Sequence, residues 1–141
     1  VFATSVDNEL QKAYLNDDYL RMMSQVLADR LAEGTAEKMH EEVRRKHWGY
    51  APNEQLTMEQ THMEEYQGIR PAVGYPSLPD TSINFILADL INMKGSVSGL
   101  MFAHPKSQYF ELGRIGDDQL HDYARRRGLP VELIRKFLKT V

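Results

Sequence analysis

Residues 68–80, GIRPAVGYPSLPD, contain three of the chain's six prolines and two of its nine glycines. Proline fixes its own φ, removes a backbone donor and pushes the residue before it into an extended conformation. Neither an uninterrupted helix nor a central strand can run through such a stretch. The segment must therefore be a fixed, irregular crossing between more regular parts. Pro71 holds Arg70 extended, while Gly74 removes a side chain and lets a ligand approach the backbone. Tyr75 adds an aromatic surface with a polar tip. Together they form a preorganised strip: a guanidinium able to grip a carboxylate in two places, main-chain groups and a ring. On these grounds a structural crossing and a ligand-holding strip are equally well supported, because Pro/Gly loops serve both.

The rest of the chain supplies regular elements. VFATSV (1–6) reads as a strand, bounded by Asp7-Asn8 and suited to a sheet edge. Asn16, Asp17 and Asp18 suit a helix start, where they accept bonds from free N–H groups and oppose the dipole. Tyr19, Met23, Val26, Leu27, Leu31, Met39 and Val43 recur mostly at three- and four-residue intervals, which predicts one buried face. Arg44, Arg45 and Lys46 lie near the helix end and Gly49 can close it. Gly34 interrupts the helix at a cost of about 1 kcal/mol relative to Ala, so close approach of something is expected there. WGYAPNE (48–54) follows, with Trp48 and Tyr50 read as packing groups closing the long helix. Thr57 and Gln60 predict a capping box for a short helix over 58–66. Asp80, Thr81 or Ser82 can cap another helix with Phe85, Ile86, Leu87 and Leu90 on its apolar face. Residues 97–104 and 108–115 read as strands joined in a hairpin by Pro105-Lys106-Ser107. Residues 117–127 read as a helix ended by Gly128, and Pro130 begins a last one, PVELIRKFLKT. The order predicts a single α+β domain, an antiparallel β-sheet with a long helix and several shorter helices.

Most chemistries are excluded by what is missing. The net charge of -3 gives no basic footprint for nucleic acid. No apolar run reaches membrane-spanning length, and VFATSVDNEL has no signal-peptide pattern. Cysteine is absent, which removes disulfides and thiolate metal sites and fits a cytoplasmic protein. There is no P-loop and no G-x-G-x-x-G. GSVSG (95–99) is better read as tight backbone packing in a sheet. His40 and His47 are seven apart, and HEEVR is not H-E-x-x-H, so no metal ligands are expected. ARRRG (124–128) fits a solvated helix end. The start at Val1, without methionine, suggests a cut from a longer polypeptide.

The motif RPAVGYPSLPD (70–80) resembles the Arg-x-x-x-Gly-Tyr signature, in the form RPAxGYPxxPD, of the reactivation domain of cobalamin-dependent methionine synthase. WGYAPNE, YQGIRPAVGYP (66–76), SVSG (96–99), HPKSQYF (104–110) and DDQLHDYARRRG (117–128) match in the same order. LADRLAEGTAEKMHEEVR (27–44) is similar to the family's long helix. The resemblance runs from about residue 17 to the end. It implies binding of S-adenosylmethionine for reductive methylation of oxidised cobalamin, as part of the methionine synthase reaction in methionine biosynthesis. The cobalamin-binding domain of the same enzyme would hold the cobalamin, and flavodoxin or a similar donor would supply the electron. The isolated domain is not expected to act alone. Under this resemblance Arg70 pairs with the ligand's carboxylate. Pro71, Ala72, Val73 and Gly74 lie along the adenosine, and Tyr75 packs beside the sulfonium. Glu33 and Glu64 are the acidic candidates for the ammonium or the ribose hydroxyls, and Tyr109 is an aromatic next to the site. No catalytic dyad and no metal site within this domain are implied.

Two departures stand against the pattern. The family carries a stretch of the type LTE-x-x-AM-x-P before SVSG, whereas here INMK (91–94) runs directly into GSVSG. The family's domain also begins further upstream, where another acidic ligand contact is expected. A fragment lacking its N-terminal portion, and a loop between 94 and 95, is the expectation. The alternative function is a docking module without catalysis, or a stand-alone reactivator of another corrinoid protein.

Overall fold

In the computed structural model, which describes residues 1–7, 9–93 and 95–138, a two-stranded antiparallel sheet lies against one long helix. The chain runs through β1 (Phe2–Thr4), α1 (Glu9–Lys12), α2 (Asp18–Glu42), α3 (Met58–His62), α4 (Ile83–Ile91), β2 (Val97–Gly99), α5 (Asp117–Arg127) and α6 (Val131–Phe137). This is the expected α+β class. The capping signals act where they stand. Asp17 accepts from the Leu20 N–H, Thr57 and Gln60 form the reciprocal box, and Gly128 ends α5 in the left-handed region. The last turn of the long helix widens into a π turn over Val43–His47 before Gly49 turns the chain at φ 64°.

The packing of α2 differs from the expected pattern. Its buried residues are Ser24, Ala28, Ala32, Ala36 and His40, whereas Tyr19, Val26, Leu27 and Leu31 are exposed. Met23 is also exposed, and Met39 and Val43 are half-buried. The reason is proximity. Small side chains let β1 lie close enough for the Thr4 hydroxyl to donate to the Ala32 carbonyl at 2.9 Å. Larger residues would hold the sheet away. Similarly, α4 buries Leu87 but exposes Phe85, Ile86 and Leu90. Trp48, expected to pack, is 55% exposed.

The expected hairpin is absent. β2 pairs instead with β1, in the register Phe2↔Gly99, Ala3↔Ser98 and Thr4↔Val97. Its other edge takes the Pro-rich strip. Val73 N–H donates to Ser98 O at 2.9 Å, Leu100 N–H to Pro71 O at 3.1 Å, and Ile69 and Phe102 exchange both backbone bonds at 2.9 Å. Residues 108–115 form no strand; Phe110 N–H donates to the Ser77 hydroxyl, which donates back to Phe110 O. The strip thus occupies the place that the second hairpin strand would need.

Leu120, Ala124, Ile134 and Leu138 form a core between α5 and α6. Asp80, at the strip's end, is tied to it: its carboxylate accepts from Tyr123 Oη at 2.6 Å, Arg127 Nη1 at 2.8 Å and Ser82 N–H at 2.8 Å. The expected last helix extended to Thr140; residues 139 and 140, like Asn8 in the expected turn and Lys94 at the expected loop, lie outside the described residues.

Candidate functional site

A cleft of about 1040 Å³ opens between α2, the strip and residues 54–64 and 109–111. Its walls are built from both elements singled out in the sequence. Glu33, Glu64, Arg70, Pro71, Ala72, Tyr75 and Tyr109 all line it. Val73 lines only a smaller neighbouring cleft of about 320 Å³, which shares Glu33, Ala72 and Tyr75. Gly74 is placed differently from expectation and borders neither. Its glycine is needed for a turn at φ 91°, where its N–H donates to Leu78 O at 2.8 Å.

Arg70 is held in the cleft at both its backbone and its guanidinium. Its backbone N–H donates to Tyr109 Oη at 2.9 Å, its Nη2 pairs with Glu37 at 2.8 Å, and its guanidinium stands 5.7 Å from the Phe2 ring centroid. Its Nε is buried without a hydrogen-bond partner. A buried donor of this kind is costly unless an acceptor arrives. Tyr109 therefore does more than line the wall: its hydroxyl, also bonded to Tyr66 Oη at 3.2 Å, fixes the Arg70 backbone. Burial, reinforced by Tyr109, pushes the Tyr66 phenol well above the usual range, so it stays protonated.

The acidic candidates differ in setting. Glu33 pairs with Arg30 at 2.6 Å and accepts from Tyr75 Oη at 3.3 Å, closing the wall between the two clefts. Glu64 has a left-handed backbone, φ 57°, which for a residue with a side chain costs roughly 1–2 kcal/mol. Residues held this way cluster at functional positions. Burial and the nearby Glu37 charge raise its pKa, against the pull of Arg70. Gly34 lines the cleft, and a Cβ added there would meet nothing within 4 Å. The approach anticipated at Gly34 is thus not made by the protein itself.

The floor was not anticipated. Arg44, fully buried, forks onto Glu54 at 2.7–3.1 Å and lies 4.3 Å over the Tyr66 ring. His40 is fully buried, edge-on to Tyr66 at 5.0 Å, and neither ring nitrogen has a partner. Burial, with Arg44 and Arg70 adding, lowers its pKa to about 3, so it is neutral. The signal was present as spacing: Glu33, Glu37, His40 and Arg44 fall at steps of four, three and four, one stripe of a helix. Among the described residues, no group of three or more His, Cys, Asp or Glu could hold a metal ion. No helix among them is long and apolar enough to cross a membrane.

A family model for vitamin B12 dependent methionine synthase, activation domain, matches residues 1–128. A solved structure of the MetH reactivation domain bound to AdoHcy is similar at a TM-score of 0.81 and 40% sequence identity, over 94% of this chain. The chain spans 46% of the length of that protein. With the match extending through α2, the strip and α5, the chain belongs to the activation-domain family of vitamin B12 dependent methionine synthase.

Proposed function

We propose that this chain holds S-adenosylmethionine in the larger cleft and presents its methyl group for reductive methylation of cobalamin held by another domain of methionine synthase. The carrying observation is Arg70: a fixed guanidinium in a roomy cleft, with a buried Nε lacking an acceptor. The amino-acid end of the ligand brings the carboxylate such a donor needs, as a charge-assisted bond. Glu33 and Glu64 offer acceptors for its ammonium and ribose hydroxyls. Pro71 and Ala72 line the adenosine with small side chains and carbonyls, while Val73 and Gly74 hold the strip's path through the sheet bond and the turn. Tyr75 and Tyr109 present aromatic surface to a sulfonium, worth about 0.5–2 kcal/mol of cation–π attraction. Bound there, S-adenosylmethionine supplies an electrophilic methyl group; the chain's residues position it and need no acid or base of their own. The solved relative carries AdoHcy, the demethylated form of the same ligand, which supports this reading. Flavodoxin or a similar reductant would be the electron source, and the setting would be cytoplasmic.

Calorimetry with S-adenosylhomocysteine on the full-length protein tests the proposal. Arg70→Ala should weaken binding at least tenfold, as expected for losing hydrogen bonds to a charged group. Equal affinity in both proteins would remove Arg70 from the site. No binding by the unaltered protein would favour a docking role.

A further inference from the structure

We propose that Glu37 is a competing carboxylate that occupies Arg70 until a ligand carboxylate takes its place, and that Arg44 then receives it. The inference rests on the reading of the cleft as an S-adenosyl site. Three unsatisfied buried atoms carry it. The Nε and Nη2 edge of a guanidinium is a fork that suits one carboxylate. In Arg44 that edge is filled by both oxygens of Glu54. In Arg70 it is half used: Glu37 Oε2 sits on Nη2 at 2.8 Å, and Nε has nothing. Glu37 Oε1 is likewise buried and unbonded, and so is Arg44 Nη1, which lies 4.0 Å from it. A small rotation of Glu37 toward Arg44 would satisfy the last two atoms together. It would also clear the whole Arg70 fork for an incoming carboxylate, which then satisfies Nε. Each of these three atoms thus gains a partner in the liganded arrangement, and none of them has one in the unliganded one.

The arrangement makes Glu37 a specificity-determining residue. A ligand with a carboxylate displaces it; a ligand ending in a neutral thioether gains nothing from Arg70 and leaves the Glu37 pair intact. Gln at 37 keeps the shape and removes the competing charge. Glu37→Gln in the full-length protein should therefore tighten S-adenosylhomocysteine by roughly three- to tenfold, the scale of one partly exposed charge-assisted bond. Binding of 5′-methylthioadenosine, which lacks the amino-acid end, should not change. Glu37→Asp, which retracts the carboxylate from Arg70 but keeps the charge beside Arg44, should tighten S-adenosylhomocysteine as well, and guards against a folding defect in the first variant. Weaker S-adenosylhomocysteine binding in both variants, with 5′-methylthioadenosine unaffected, would make Glu37 a partner of the ligand's ammonium and overturn the proposal. Unchanged affinity for both ligands would overturn it too, while leaving the site itself standing. Failure of the unaltered protein to bind S-adenosylhomocysteine would instead remove the underlying site, and the proposal with it.

Discussion

Replacing Gly99 by alanine should push the strip away from β2. Gly99 ends β2 directly beneath Pro71 and Ala72. An added Cβ would lie 2.2 Å from Pro71 O, 2.9 Å from Ala72 Cα and 2.9 Å from Phe2 Cε1. A relaxed carbon–oxygen contact is about 3.3 Å, so the strip must withdraw by about 1 Å. Two bonds tie it down at this point, Leu100 N–H to Pro71 O at 3.1 Å and Val73 N–H to Ser98 O at 2.9 Å. Losing both costs about 1–3 kcal/mol, and overpacking adds about 1–3 kcal/mol. The expected destabilisation is therefore about 2–6 kcal/mol, a large share of a domain's total of about 5–15 kcal/mol. Arg70 precedes Pro71 and moves with it. A displacement of about 1 Å carries the Arg70 guanidinium out of hydrogen-bond range of a ligand carboxylate seated on it, so S-adenosylhomocysteine affinity should fall at least tenfold. Urea unfolding and calorimetry on the full-length protein measure the two effects. Gly113→Ala is the control: φ is 64°, but nothing lies within 4 Å of an added Cβ. It should lose about 1–2 kcal/mol from the left-handed backbone and leave affinity unchanged. If Gly99→Ala unfolds within about 0.5 kcal/mol of the unaltered protein and binds equally well, the packing argument is refuted.

Other substitutions separate stability from binding in different directions. Gly34→Ala should raise helix stability by about 0.5–1 kcal/mol while weakening S-adenosylhomocysteine, because its methyl stands in the cleft and not against the protein. Tighter binding together with higher stability would contradict that placement. His40 links folding to pH. Its pKa is about 3 when folded and 6.5 when not. Between these values the unfolded chain binds a proton that the folded chain refuses, so stability falls as pH drops through this window. The loss approaches about 1.4 kcal/mol per pH unit, and comes to about 2 kcal/mol from pH 6.5 to 4.5. His40→Leu should flatten that part of the profile, as both ring nitrogens lack partners; urea midpoints at pH 6.5 and 4.5 that shift equally in the two proteins would count against it.

What the sequence made legible was local. Asp17, the Thr57–Gln60 box and Gly128 act within one helical turn, so their chemistry needs no knowledge of the fold. The path of the strip was legible for the same reason, since Pro71 restrains Arg70 directly. Pairing was not. Nothing in residues 100–104 favours a hairpin with 108–115 over the bridge that Phe102 makes with Ile69, and the competition for one edge decides. The face of α2 misled because side-chain size stood in for burial. The sheet comes close only where Ala28, Ala32 and Ala36 permit it. At the site, Arg70, Glu33, Glu64, Tyr75 and Tyr109 were named individually and do converge on one cleft. Glu37 and Arg44 were missed because a charged stripe on a long helix reads as solvated until Tyr66 and Glu54 are brought over it from later in the chain.

The buried residues of α2 recur every four positions from Ser24 to His40. A helix advances about 100° per residue, so each step of four moves the buried line about 40° round the axis. Over the four steps it sweeps about 160°, nearly to the opposite side. The helix is thus an axle around which the chain winds: Ala32 meets Thr4 of β1, and His40 meets Tyr66 beneath the cleft. Glu33, Gly34 and Glu37 sit on the flank between, where the winding leaves a gap. The helical phase is then a gauge. Adding or removing one residue between Ala32 and His40 would turn one half by about 100° against the other, and sheet and floor could not both keep their seats. The length of α2 between those two contacts fixes where the acidic flank stands relative to Arg70.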